Sequence, residues 1–81
     1  MQIRVRLFAS LREAVGKGEL QLELPEGARL EDVWSLLARE HPGVGARRQS
    51  LAAAVNRRYA PFDSPLEAGD EVAFIPPVSG G

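Results

Sequence analysis

The 81-residue chain contains no cysteine and a single histidine, His41. Without cysteine it can form neither a disulfide nor a thiolate metal site, and one imidazole cannot assemble a typical zinc site, so no metal is expected. No stretch approaches the roughly 20 apolar residues that span a bilayer, and the amino terminus alternates apolar and charged residues, unlike a signal peptide. These absences predict a chain without a membrane partner, and they fit a cytoplasmic location.

Neither sign of charge predominates, because 10 Lys and Arg residues face 11 Asp and Glu residues, for a net charge of -1. Nucleic-acid binding requires a basic field, so nucleic acid is not expected as the main partner. Lysine is almost absent, since nine of the ten basic residues are arginine. The pairs Arg47-Arg48 and Arg57-Arg58 are either contacts for an acidic partner or solvated loop charges.

The sequence contains no visible catalytic constellation. Gly16-Lys17 lacks the spacing of a phosphate-binding loop, and no serine stands in the context of a nucleophile. The chain is therefore not expected to be an enzyme by itself or to bind a cofactor.

Four segments predict half-buried β-strands, because in each of them apolar residues recur at every second position. Their alternating apolar residues are Ile3, Val5 and Leu7; Leu20, Leu22 and Leu24; Leu51, Ala53 and Val55; and Val72 and Phe74. A short helical turn is expected over residues 10–15, and irregular structure is expected over residues 61–65.

One helix is predicted between the second and third strands. Its apolar residues Leu30, Val33, Trp34 and Leu37 recur at i, i+3, i+4 and i+7, which places them on one face. A proline and two glycines within residues 42–45 end the helix and begin a loop. No residue that is a strong side-chain cap precedes the helix.

The order β-β-α-β-β predicts an α+β fold. A hairpin, a crossover helix and returning strands would form one mixed sheet around one main helix, which is the ubiquitin-like β-grasp arrangement. Residues 1–75 are assigned to this domain, and residues 76–81 are assigned to an extended C-terminal tail.

The tail ends in Gly80 and Gly81, which lack Cβ atoms and therefore form a thin segment that adopts φ of either sign. Pro76 and Pro77 stiffen the approach to these glycines. A diglycine end is either a frayed terminus or a carboxylate that is presented to another protein. The stiff approach favours presentation, and another protein would then have to activate the carboxylate.

Two apolar residues are predicted to lie on the strand face that points away from the core. By the alternation of side chains, Phe8 is expected on the face opposite to that of Leu7, and Ile75 on the face opposite to that of Phe74. Since the first and last strands of a β-grasp sheet are parallel neighbours, both residues should emerge together on the outer face, where the tail leaves. With Tyr59 as a third member they would form a docking surface, unless loops cover them.

Several segments of the chain resemble the small subunit of molybdopterin synthase, the ubiquitin-like sulfur carrier of molybdenum cofactor synthesis. The segments are Leu7-Phe8-Ala9 with Arg12-Glu13, Leu51-Ala52-Ala53-Ala54-Val55-Asn56, Pro65-Leu66 with Gly69-Asp70-Glu71-Val72-Ala73-Phe74, and Pro76-Pro77-Val78-Ser79-Gly80-Gly81. The resemblance extends from the first strand to the last residue, and it is most specific in the final strand and the tail.

The resemblance implies a reaction for the tail. An adenylyltransferase of the ubiquitin-activating kind would use ATP to adenylate the Gly81 carboxylate, and persulfide sulfur would replace AMP to give a thiocarboxylate. The tail would then donate sulfur to cyclic pyranopterin monophosphate in the large subunit, which is expected to hold the catalytic residues. The family forms a heterotetramer around a large-subunit dimer. Its contacts with the large subunit correspond here to Phe8, Tyr59, Ile75, Pro76, Pro77 and Val78.

Two alternatives stay open at the level of the sequence. The same tail chemistry would serve a sulfur carrier for thiazole synthesis or tRNA thiolation, or a protein that is attached to lysines. A β-grasp interaction module with an unreactive C-terminus is the other alternative.

Overall fold

The computed structural model describes residues 1–44 and 51–76. Its elements are β1 (Gln2–Leu7), α1 (Ala9–Val15), β2 (Glu19–Glu23), α2 (Leu30–Glu40), β3 (Ala52–Val55), β4 (Arg58–Tyr59) and β5 (Glu71–Ile75). The strands form a five-stranded sheet in the order β2-β1-β5-β3-β4. β1 and β5 are parallel, and the other neighbours are antiparallel. The mixed sheet with its crossover helix is the predicted α+β, β-grasp arrangement.

The core contains the residues that the two periodicities predicted. Its buried members include Ile3, Val5, Leu7, Leu22, Leu24, Leu30, Val33, Trp34, Leu37, Ala53, Val72 and Phe74. Leu20, Leu51 and Val55 are partly buried against the same cluster. The predicted packing of the apolar helix face on the inward strand faces is therefore confirmed.

Two fully buried residues, Leu11 and Val44, lie outside the core that the patterns predicted. Leu11 belongs to α1, a seven-residue helix that begins one residue before the expected helical turn. Val44 ends a 3₁₀ turn over residues 42–44, where a loop was expected. Each is the one fully buried residue of a short segment, so neither produces a strong periodic signal.

The amino-terminal end of α2 is capped by a remote part of the chain. The Leu30 N–H donates to the Ser64 carbonyl at 3.0 Å, and the Glu31 N–H donates to the Phe62 carbonyl at 2.8 Å. The first N–H groups of a helix have no partners within it. The irregular segment 61–65 therefore supplies the acceptors for the first two N–H groups of the helix.

The sequence patterns did not predict β4, which follows β3 through a two-residue turn. Asn56 and Arg57 form this turn with positive φ values of 49° and 72°, as in the turns that suit β-hairpins. Asn56 Oδ1 accepts the Glu71 N–H at 2.9 Å, and Asn56 Nδ2 donates to Asp70 Oδ1 at 2.9 Å. Arg57 therefore lies in the turn of a β-hairpin, and Arg58 begins its second strand.

Trp34 is the largest side chain of the helix face, and its ring meets Phe74 edge-on with centroids 5.1 Å apart. Trp34→Ala should lower the free energy of unfolding by about 3–5 kcal/mol, because it leaves a cavity in a small core. Thermal or denaturant unfolding measures the loss. Ser35→Ala, at the exposed neighbouring position, is the control and should change the midpoint little. An unchanged midpoint in Trp34→Ala would exclude this ring from the core.

Asn56→Ala should lower the free energy of unfolding by about 1–3 kcal/mol, since alanine removes two side-chain hydrogen bonds and disfavours positive φ. Asn56→Gly tolerates the turn conformation, so it isolates the contribution of the hydrogen bonds. Urea unfolding should place the glycine variant between the wild type and the alanine variant. Wild-type stability in Asn56→Ala would show that the side chain does not hold the hairpin.

Candidate functional site

β1 and β5 bring two apolar side chains to one corner of the sheet. Their parallel register pairs Leu7 with Phe74, so the next residues, Phe8 and Ile75, lie side by side. Leu7 and Phe74 are buried, whereas Phe8 is 39% exposed and Ile75 is half-buried. The placement that the strand alternation predicted for Phe8 and Ile75 is confirmed.

Tyr59 reaches the same surface from β4. The register pairs Ala54 with Tyr59 on one side and with Ala73 on the other, so these three residues form a row across the sheet. The Tyr59 side chain is 78% exposed. The sequence had indicated Tyr59 only as a plausible third member, because the strand that carries it was not predicted.

These side chains border a concavity of about 240 Å³ on the outer face of the sheet, which we call the outer cup. The outer cup is lined by Arg6, Phe8, Ala54, Arg57, Tyr59, Glu71, Ala73 and Ile75. The small side chains of the paired residues Ala54 and Ala73 leave room between the larger ones. The surface is thus apolar in the middle and charged on one side.

Backbone conformations that are uncommon for non-glycine residues flank the outer cup. Within the described ranges, positive φ at such residues occurs at Ala9, Asn56 and Arg57. Ala9 directly follows Phe8, and Arg57 itself lines the cup. Such conformations are unfavourable unless surrounding contacts hold them, and they concentrate at functional sites.

The C-terminal segment begins at the outer cup. β5 ends at Ile75, which lines the cup, and Pro76 follows as a half-buried residue. The polypeptide beyond Pro76 therefore continues from the edge of the cup. Five of the predicted tail residues lie outside the described residues: Pro77, Val78, Ser79, Gly80 and Gly81.

Among the residues that the structure describes, His41 is a candidate that does not line the outer cup. His41 follows α2, and its backbone N–H donates to the Leu37 carbonyl at 2.8 Å. In residues 1–44 and 51–76, no group of three or more metal-ligating side chains is placed to hold an ion. Over the same residues, no helix is both long and apolar enough to cross a membrane. The pair Arg47-Arg48 lies outside the described ranges.

Comparison with known proteins identifies relatives over the whole chain. The model of the ThiS family matches residues 5–81. The molybdopterin synthase sulfur carrier subunit of Chlamydomonas reinhardtii is 42% identical over 83 residues, with 100% of both chains covered. The subunit of the same name from Escherichia coli is 41% identical over 86 residues, which cover 98% of this chain and 99% of that one.

A solved structure has a fold very similar to that of this chain. SAMP1 from Haloferax volcanii is 28% identical and superposes with a TM-score of 0.92, with 100% of both chains covered. The abbreviation stands for small archaeal modifier protein 1. The chain belongs to the ThiS family, in the group of ubiquitin-like sulfur carriers that includes the molybdopterin synthase sulfur carrier subunits.

Proposed function

We propose that this chain is the sulfur carrier subunit of a molybdopterin synthase and that Gly81 is the residue that carries the sulfur. The observation that carries the proposal is the parallel pairing of β1 with β5, which brings a concave apolar surface and the start of the tail to one edge of the sheet. The full-length alignment with carrier subunits supports the same function.

The proposed chemistry begins with activation, because a carboxylate is a poor electrophile. The Gly81 carboxylate attacks the α-phosphate of ATP on an adenylyltransferase, and pyrophosphate leaves. A persulfide sulfur then displaces AMP from the acyl adenylate, and a thiol reduces the sulfur–sulfur bond to leave a thiocarboxylate. This group is anionic at neutral pH, and it is a sulfur nucleophile in the way that an activated cysteine thiolate is.

In this proposal the tail enters the active site of the large subunit, which supplies the catalytic residues and binds cyclic pyranopterin monophosphate. Gly80 and Gly81 suit a narrow channel, because they lack a Cβ atom. Pro76, Pro77 and Val78 form the stiffer approach that contacts the channel entrance. The carrier holds no cofactor, ATP is consumed by the activating enzyme, and the proposed location is the cytoplasm, where ATP is available.

The outer cup is the proposed contact with the large subunit. Phe8 and Tyr59 are the large apolar side chains exposed in the described part of the chain, and Ile75 lies beside them. An apolar centre with a polar or charged border is the usual anatomy of a protein–protein contact. Docking at the cup would place the chain beyond Pro76 directly against the partner.

Attachment to proteins is a second candidate function, which the likeness to a protein named as a modifier favours. The activated Gly81 carboxyl group would then form an amide bond with a lysine amine, and AMP would leave. Both functions require the same tail and the same activation. They differ in the acceptor, so the products distinguish them.

Phe8→Asp and Ile75→Asp should each weaken binding to the large subunit roughly tenfold or more, because each removes an apolar side chain from the contact and places there a carboxylate that must lose its hydration. Calorimetric titration measures the affinity, and circular dichroism checks that both variants stay folded. Ser35→Asp adds the same charge on the exposed side of α2, and it should bind like the wild type. Wild-type affinity in both cup variants would show that the outer cup is not the interface.

Deleting Gly81 should leave folding and docking nearly unchanged but abolish sulfur transfer. The new terminus would fall short by one residue, about 3.5 Å, which is large compared with the tolerance of positioned reactants. Gly81→Ala keeps the length of the tail and should slow transfer instead of abolishing it, since its methyl group crowds the channel.

Mass spectrometry after incubation with ATP, the activating enzyme and a persulfide donor measures the product. The wild-type chain should exchange one oxygen for sulfur at Gly81, and it should convert the pterin precursor once the large subunit is added. Amide bonds to lysines of other proteins would favour the second function. Sulfur at another residue, or precursor conversion by the truncated chain, would contradict the proposal.

A further inference from the structure

Three arginines surround one carboxylate on the outer face of the sheet. The side-chain nitrogens of Arg4, Arg6 and Arg57 lie 3.8, 3.9 and 3.9 Å from the Glu71 carboxylate. The Glu71 side chain is only 18% exposed, whereas the Arg57 side chain is 85% exposed. A second carboxylate, that of Glu19, lies 3.8 Å from Arg4. Arg6 and Arg57 therefore share a single carboxylate as their ion-pair partner within the described residues.

One carboxylate does not satisfy these cations. Separations of 3.8–3.9 Å are ion-pair distances that exceed hydrogen-bond lengths, and each guanidinium carries five N–H donors. Within residues 1–44 and 51–76, neither Arg6 nor Arg57 donates a side-chain hydrogen bond. The cluster thus keeps positive charge and unused donors, although the whole chain carries a net charge of -1.

The excess positive charge lies within the outer cup. Arg6 and Arg57 both line it, and the guanidinium carbon of Arg6 is 5.6 Å from the centroid of the Phe8 ring. At this distance the Arg6 guanidinium forms a cation–π contact with the Phe8 ring, so the positive charge lies directly beside the apolar surface. A partner that covers Phe8 must also cover Arg6, and a desolvated charge is unfavourable unless it gains an opposite charge or hydrogen-bond acceptors.

We propose that the partner surface that covers the outer cup is acidic and places carboxylates against Arg6 and Arg57. A planar guanidinium binds a carboxylate through two parallel hydrogen bonds, so such pairs would set the register of docking as well as its rate. The Glu71 carboxylate offsets part of the positive charge of both arginines. The inference rests on the proposed function, because the partner it names is the large subunit.

The test is the association kinetics of the full chain with the large subunit of the same organism. At low ionic strength, Arg6→Gln and Arg57→Gln should each lower the association rate constant about two- to fivefold, the range for one exposed ion pair. Glu71→Gln should raise the rate constant, because it removes the negative charge beside the two arginines. All three differences should shrink at high salt, which screens exposed charges.

Arg39→Gln is the matched control. It removes the same charge from an exposed position on α2 that lies outside the outer cup, and it should change the rate constant little. Glu71→Gln should stay folded, since the hydrogen bonds that join Asn56 to Glu71 use the main chain of Glu71 and not its carboxylate. Thermal unfolding checks this point.

The outcomes separate this inference from the proposed function. If Phe8→Asp prevents docking while the arginine variants and Glu71→Gln associate like the wild type, the large subunit covers the cup without acidic contacts, and only this inference fails. Faster association of the arginine variants would overturn it by indicating a basic partner surface. If the wild-type chain and the large subunit do not associate, the inference and the proposed function fail together.

Discussion

The parallel pairing of β1 with β5 organises the whole sheet. It joins strands from the two ends of the chain, and β5 becomes the central strand of the sheet. Parallel strands run in one direction, so their carboxyl ends meet at the same edge. The corner formed by Phe8 and Ile75, the outer cup and the start of the tail all follow from this register.

The same strands build the core and the outer cup, because successive side chains of a strand point to opposite faces. Val5 and Val72 face inward, while Arg6 and Ala73 face outward. A shift of one residue would bury Arg6 and expose Val5, which the hydrophobic effect strongly opposes. Core packing therefore also determines which side chains of β1 and β5 line the cup.

Contacts between distant segments complete the fold. Carbonyl groups of segment 61–65 cap α2, and the Asn56 side chain joins the β3–β4 turn to Asp70 and Glu71. A carbonyl acceptor exists at every residue, so no residue type marks the segment that caps a helix. An asparagine signals a turn, but it does not specify which strand its amide group will reach. For these reasons, the sequence patterns did not predict either contact.

The strands that alternate over several residues, the helix α2 and most of the core can be predicted from the amino-acid sequence, because periods of 2 and 3.6 residues are local signals. Strand parity also determined that Phe8 and Ile75 share an outer face. Three features could not be predicted without the tertiary structure. They are the short strand β4, the position of Tyr59 on the cup, and the approach of Arg6 and Arg57 to one carboxylate. The physical reason is that each depends on which strands become neighbours and in what register, and many residues distant in sequence set that outcome together.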